Sequence, residues 1–545
     1  MILLFGYRVN EKRLEEVVVV DFLPRLKKLK FQPNNDRPVS RSLPCFMMGL
    51  ALPRVDFKDT YSNIFGMAKR VLRKPPSGNR AVKRRFRYFV RKWIRENLSP
   101  LRDPDFSFDP WIEQTSYPET RKEELRRCYE DFINHPWQLP KRVTRVKSFI
   151  KDEAYVEYKL PRWINSRSDE FKCLVGPAFS AIEHQLFLRK EFIKYVPVPD
   201  RPAFINEHLH RDGFDYFATD FSSFESHFTS EMMFMCEMQL YRYMLSSTLR
   251  GVKIHALIQQ VLASKAYKLG NDEVVATIKG KRMSGEMCTS LGNGFSNLML
   301  ILFACEESLG TAPHGVVVEG DDGLFTVPKD SGISAKTFED IGFRVKIEKH
   351  RSVQTASFCG NIYDYMDQVV LTDPRKVLVN FGWTKREDVK ASKSRLALLS
   401  RAKGYSIAHQ YRGSPILGSF ANYILRATRQ VDIKLRKQLS VNDKSFSYWD
   451  RQKVTEAMEA DCTYKPPSMR SREIIAQTYK ISIGDQLSLE RFFDNLKTLQ
   501  PIDHEVIRNW DVAFPNWSEY YDTYGLYHNE YRCRKNPALA FAYLQ

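Results

Sequence analysis

Two runs of β-branched and aromatic residues, Val316-Val317-Val318 and Leu324-Phe325-Thr326-Val327, flank the tetrapeptide Gly320-Asp321-Asp322-Gly323. No other stretch restricts the fold as much. The runs suit a pleated, half-buried surface, and an Asp-Gly step tolerates the positive φ of a tight turn, so the pattern predicts a β-hairpin. Its tip carries two adjacent carboxylates between apolar strands. They repel each other unless a cation or a basic partner offsets the charge. Mg2+ is the natural candidate, because it takes carboxylate and phosphate oxygens together. A hairpin with a merely polar tip satisfies the same pattern, so the rest of the chain has to supply the other parts of a site.

With 545 residues the chain has room for about three structural units and a large core. Its net charge of +19 is compatible with a nucleic-acid channel and equally with a basic, solvated surface. The nine cysteines are scattered without a Cys-x-x-Cys pair, which predicts free thiols and no disulfides, in a reducing compartment. Met1-Ile2-Leu3-Leu4-Phe5 is too short for a signal peptide, and no apolar run is long enough for a transmembrane segment. The absence of Gly-x-x-x-x-Gly-Lys-Ser/Thr disfavours a P-loop ATPase or helicase.

Residues 1–60 carry Pro-rich breaks and no legible function, and 69–80 form a basic linker. Phe86, Phe89, Val90, Trp93 and Ile94 share one face of a helix predicted over 81–97. Lys83, Arg84, Arg85, Arg87, Arg91, Lys92 and Arg95 occupy its other positions, as a solvated face or as a wall of an RNA path. Residues 121–140 look helical as far as His135-Pro136. In 141–172, basic residues alternate with Phe149, Ile150, Tyr155, Tyr158, Trp163 and Ile164. That suits extended strands with one packed and one cationic face, and guanidinium groups grip phosphate oxygens bidentately. An aromatic strand at 216–219 then ends in Asp220, which is either a strand-end carboxylate or an N-cap for a helix predicted over 223–244. A small-residue loop at 283–288 leads into an apolar helix through Cys305, on which Thr289, Asn293 and Asn297 share a face. A buried polar stripe of that kind must find partners. After the hairpin the pattern gives a helix at 334–342, a strand at 343–348 and a small hairpin within 357–371. From 373 on it is mostly helical, closing in an aromatic tail at 510–543.

In this order, Asp220-x4-Glu225, Ser284-Gly285-x3-Thr289-x3-Asn293 and Gly320-Asp321-Asp322 resemble motifs A, B and C of viral RNA-dependent RNA polymerases. Lys151-x-Glu153, Lys159-x2-Arg162-x-Ile164 and Arg167 resemble motif F of the same enzymes, 334–349 motif D, and 357–371 the hairpin of motif E. The nearest resemblance is to positive-strand RNA viruses of the tombusvirus-like and nodavirus-like group. It covers about 80–390 with specific motifs. A Gly-Asp-Asp alone is weak; five ordered motifs are strong.

The resemblance implies an α+β chain folded as a closed right hand of fingers, palm and thumb, with a small antiparallel palm sheet backed by helices. Residues 1–80 would be an N-terminal extension bridging fingers and thumb, and 81–214 the fingers with the basic motif at 141–172. The palm would span 215–371 with a fingers insertion near 245–282, and the thumb and tail 372–545. The implied activity is RNA-templated RNA synthesis, in which Asp220, Asp321 and Asp322 hold two Mg2+ ions, with Mn2+ able to substitute. Lys151, Lys159, Arg162 and Arg167 would hold the triphosphate. Glu225, Ser284, Gly285, Thr289 and Asn293 would select the ribose and base pair, since a carboxylate and an amide together read a 2′-hydroxyl. Most relatives carry Asp where this chain has Glu225. Lys349 is the implied general acid, with Lys346 as its competitor. Implied partners are template and product RNA, NTPs and a membrane-anchored viral or host protein, at membrane-associated replication complexes in the host cytoplasm. A catalytically silent, RNA-binding scaffold of the same fold is the alternative. A reverse transcriptase is disfavoured by Glu225, where a bulky aromatic would exclude the 2′-hydroxyl.

Overall fold

The computed structural model describes residues 41–48, 50, 63, 66–153, 160–270, 275–440 and 448–510, together with two short strands at Leu3–Leu4 and Tyr7–Arg8. The expectations for Tyr155, Tyr158 and Lys159, and for the tail beyond Trp510, lie outside the described residues.

Helix α1 (Arg80–Asn97) buries Val82, Phe86, Val90 and Ile94 on the predicted face, and the Asn79 side chain caps its start by accepting the N–H groups of Ala81 and Val82. Three of the side chains on its polar face tie the helix to its neighbours: Lys83 to Glu231, Arg85 to Glu307 and Arg91 to Gln239. The basic segment forms an antiparallel pair, β1 (Val146–Ile150) and β2 (Trp163–Arg167). Ser168 then caps α2 (Asp169–Phe187) by accepting the Phe171 N–H.

Strand β3 (Phe214–Phe221) runs through Asp220 as predicted. The single helix predicted over 223–244 is broken instead. Ser223 adopts a left-handed φ of 59°, Phe224–His227 form a 3-10 turn, and Thr229 caps a new helix before α3 (Glu237–Met244) begins. Strands β4 (Ala266–Gly270) and β5 (Val275–Lys279) make a second small antiparallel pair. Helix α4 (Thr289–Leu309) is buried along most of its length and stops at Gly310, whose φ is 69°. The central hairpin is β6 (Gly315–Glu319) and β7 (Asp322–Pro328). It is followed by α5 (Ala335–Ile341), β8 (Val345–His350) and a short hairpin of β9 (Ile362–Asp364) and β10 (Val369–Leu371). Beyond it the chain is helical, including α6 (Lys393–Gln410), α7 (Leu417–Ala427), α8 (Met469–Tyr479) and α9 (Ile483–Asn495).

The central sheet is antiparallel, in the order β8-β3-β7-β6. Side chains alternate across it with period two. Phe217, Phe221 and Phe325 therefore join the core made with α1, α2, α3 and α4. Tyr216, Ala218 and Leu324 join the opposite core, made with β9, β10 and the C-terminal helices. Each face is sealed by its own apolar layer, and the carboxylates Asp220 and Asp322 come together at one end of β3 and β7.

Candidate active site at the sheet end

The turn between β6 and β7 has two residues, Gly320 and Asp321, closed by the Glu319–Asp322 pair. Gly320 has a φ of 61°, as a two-residue hairpin turn with glycine in first place requires. The turn thus takes the first half of the tetrapeptide Gly320-Asp321-Asp322-Gly323, and Asp322 and Gly323 belong to β7. Gly323 is needed there because a Cβ would lie 2.6 Å from Ile301 Cδ1 and 2.7 Å from Thr219 Oγ1. Asn297 of α4 fastens the turn by donating from Nδ2 to the Gly320 carbonyl at 3.2 Å.

Thr219 pairs with Gly323, so Asp220 lies one step beyond, opposite Asp322 and on the same face. Desolvation by the surrounding protein, then the charges of Glu225 and Asp322, push the Asp321 carboxyl up to about 7, with Arg162 pulling the other way. Desolvation raises Asp322 to about 6; the Cys359 hydrogen bond opposes this, while Asp220 and Glu319 add to it. Among the described residues no lysine or arginine pairs with any of the three aspartates, which leaves a charge that a hard divalent cation offsets. The donor set therefore fits such an ion. No three His, Cys, Asp or Glu side chains among the described residues converge as a ready cage. Magnesium commonly draws its remaining ligands from substrate phosphates and water.

Beside the carboxylates, Asn293 donates from Nδ2 to Glu225 Oε1 at 3.3 Å, so the structure joins the two residues predicted to read the ribose. Gly285 has a φ of 98° and lies so close to β2 that a Cβ would meet Ile164 Cγ2 at 2.6 Å; the neighbouring Ser284 carbonyl accepts the Asn165 N–H at 2.8 Å. Thr289 turns its hydroxyl back onto the Met283 and Glu286 carbonyls, at 3.1 and 2.7 Å. It shapes the loop that carries Ser284 and Gly285.

Among the predicted triphosphate ligands, Arg162 holds Glu153 bidentately at 2.5 and 2.6 Å, and Lys151 reaches the same carboxylate at 3.1 Å. Arg162 is close enough to Asp321 to lower its proton affinity, and more than a third of its side chain is exposed. Lys159 lies outside the described residues. Arg167 corrects the expectation. It is 2% exposed, bonded to Glu286 at 2.8 Å and stacked over Tyr267 at 4.0 Å, because the period of β2 turns it inward with Trp163 and Asn165. It braces the loop before α4 and is not presented to a phosphate.

Lys349 is the second correction. It pairs with Phe217, three residues down β3 from Asp220, and binds Asp215 at 3.0 Å. An odd offset on a strand puts it on the opposite sheet face from Asp220. Lys346, its competitor, lies directly across from Asp220 on the same face, where it also reaches Glu348 at 2.5 Å.

Three residues beside the site escaped the sequence reading: Arg282, Glu237 and Cys359. Arg282 is fully buried, ion-paired with the equally buried Glu237, and donates from Nη1 to Asn293 Oδ1 at 2.7 Å. Cys359 stands against Asp322 and Glu319. The basic residue two places before Ser284 was the available signal for the first. Neither charge pattern nor period marks Glu237.

Asp220 and Asp322 on neighbouring strands, Asp321 at the turn and the Asn293–Glu225 pair thus gather at one end of the central sheet. The profile described as viral RNA dependent RNA polymerase matches residues 216–500, more than half of the chain, and the chain belongs to that family. The RNA-directed RNA polymerase of Oat chlorotic stunt virus (isolate United Kingdom) is 22% identical over 409 residues, covering 70% of this chain and 53% of that protein. The chain thus spans about half the length of the curated relative it matches.

Proposed function

We propose that the chain extends RNA on an RNA template, transferring a nucleotidyl group from an NTP to an RNA 3′-hydroxyl during replication and transcription of a positive-strand RNA virus genome. The observation that carries this reading is the placement of Asp220 and Asp322 side by side, with Asp321 at the turn and the Asn293–Glu225 pair next to them. Two divalent ions, held by Asp220 and Asp321 with Asp322 at the edge, would activate the 3′-hydroxyl and offset the charge of the leaving pyrophosphate. Arg162, oriented by Glu153, meets the triphosphate. Glu225 accepts from the 2′-hydroxyl of the incoming ribose while Asn293 donates to it, which disfavours a deoxynucleotide. Lys346 stands on the Asp220 face to give a proton to pyrophosphate.

In the same reading the central sheet is the palm of a closed right hand, with 81–214 as fingers and 372–545 as thumb. Residues 1–80 bridge the two. The bridging is supported by bonds from 41–48 to 382–384 and Ile502, and from Asn63 to Trp163. The place of work is the host cytoplasm, at membranes reached through an anchored viral or host partner.

Primer extension on a heteropolymeric RNA template with Mg2+, comparing wild type with Asp321→Ala, tests the proposal. Template-length product from wild type alone is expected. RNA bound tightly by both with no product from either would point to the silent scaffold, and equal product from both would remove the hairpin as the active site.

A further inference from the structure

We propose that Arg282, held by Glu237, is a positioning residue that fixes the amide of Asn293 and thereby sets the preference for ribonucleotides; the inference rests on the polymerase reading above. Asn293 lies between two groups of opposite hydrogen-bonding character. Arg282 Nη1 donates to its Oδ1 at 2.7 Å, and its Nδ2 donates to Glu225 Oε1 at 3.3 Å. A guanidinium has donors only, and an ionised carboxylate has acceptors only. An amide between them has one orientation that satisfies both sides. Turned over, it would face NH2 to guanidinium and oxygen to carboxylate. The arginine thus keeps the Asn293 NH2 on the side of Glu225 and the substrate.

Arg282 itself has little freedom. It is buried, paired with Glu237, and stacked over Phe228 with its central carbon 4.1 Å from the ring centroid. Glu237 also accepts the Tyr241 hydroxyl at 3.3 Å. The backbone of α4 makes room for the pair at Gly292, where a Cβ would lie 2.4 Å from both Arg282 Nη2 and Glu237 Oε2. Gly292 precedes Asn293, so the close approach that admits the ion pair also sets the height of the amide. Buried charge pairs add little net stability compared with apolar residues of similar volume. Orientation of the neighbouring amide gives this pair a role that stability alone does not.

The test uses the full chain and replaces both charges, Glu237→Leu with Arg282→Met, so that neither is left buried alone. The kcat and KM for GTP and dGTP are measured in primer extension, together with thermal melts. The pair of substitutions is expected to lower the GTP-over-dGTP ratio of kcat/KM about tenfold, chiefly by raising KM for GTP. In an Asn293→Ala background it is expected to change the ratio no further, because the arginine acts through that amide. Arg282→Lys, which keeps a charge opposite Glu237 but loses the planar fork, is expected to lower the ratio in the same direction, and it decides the matter should the double variant fail to fold. An unchanged ratio with both substrates slowed alike, or a further drop in the Asn293→Ala background, would overturn the proposal while leaving the polymerase reading intact. A wild type that makes no Asp321-dependent product would sink that reading and this inference with it.

Discussion

Asp321 and Asp322 hold protons more tightly than ordinary aspartates, because both are desolvated and face other carboxylates. Between the ordinary value of 3.8 and the raised values of about 7 and about 6, the folded chain keeps protons that the unfolded chain has released. Folding stability without metal therefore falls as pH rises through that window. Asp321→Asn is expected to raise the Tm of the metal-free protein by about 1–2 °C at pH 8 and to leave it unchanged near pH 4, in thermal melts. Added Mg2+ is expected to raise the wild-type Tm more at pH 8 than at pH 5, since the ion competes with these protons. The two lysines of β8 separate just as sharply. Lys346→Ala is expected to lower kcat at least tenfold and to alter the alkaline limb of the pH–rate profile. Lys349→Ala removes a partner from buried Asp215, which keeps Arg351 at 2.9 Å, so it is expected to lower Tm and leave that profile in place. The acidic residues and the Asn293–Glu225 pair were legible through the ordered motifs they resemble, because residue pattern alone also admits a merely polar hairpin tip and an N-cap at Asp220, and it does not join two residues so far apart in the chain. Lys349 was misread because a place within the 334–349 stretch says nothing about strand register, and the pairing with Phe217 decides which sheet face it occupies.

At the scale of elements, helix α4 works as a mount for the hairpin. Its apolar length fills the core, while Asn293 and Asn297 point at Glu225 and the Gly320 carbonyl. The sequence showed that Thr289, Asn293 and Asn297 share a face, but not that one closes a loop, one meets a carboxylate and one holds a turn. The break in the helix predicted over 223–244 was illegible for a related reason. Its apolar period continues across Ser223 and Thr229, and only the backbone turn that lifts Glu225 toward α4 interrupts it. The mount predicts the effect of one methyl group. Gly323→Ala must displace both Ile301 and Thr219, and Thr219 adjoins Asp220. Misplacing reacting groups by about 1 Å costs roughly a hundredfold in rate. The variant is expected to lose between tenfold and about a hundredfold in kcat in single-turnover extension. An unaltered rate with a lowered Tm would mean that the strand yields without moving the carboxylate.

Across the whole molecule, the stretch with the least legible sequence has the longest reach. The Leu43 N–H donates to the Gly382 carbonyl at 2.7 Å, and the Met48 N–H to the Ile502 carbonyl at 2.9 Å, so 41–48 stitch together two parts of the C-terminal helical region. Leu43, Cys45, Met47 and Leu50 are buried in the core shared with β9, β10 and α7. A little further on, Asn63 accepts the Trp163 indole N–H at 2.8 Å, and Met67, Val71 and Leu72 pack with Ile150, Tyr267 and Leu269 of the small hairpins. One short segment thus touches both ends of the molecule. Leu43, Cys45 and Met47 alternate and Met67 and Val71 stand one helical turn apart, but these stretches are too short to stand out as elements, and the surfaces they dock onto are made elsewhere in the chain. Met47→Asp places a carboxylate where the side chain is 1% exposed, at a cost of about 3 kcal/mol or more. Hydrogen exchange is expected to quicken in Leu417–Ala427 and Ile483–Asn495 while β3 and β7 stay protected, because the central sheet has its own core on the α4 side. Under the proposed function, extension by one nucleotide should then persist and long products become scarce, since that reading puts the chemistry on the sheet and the hold on RNA in the helical region. Equal loss of both would instead show that the segment supports the sheet itself.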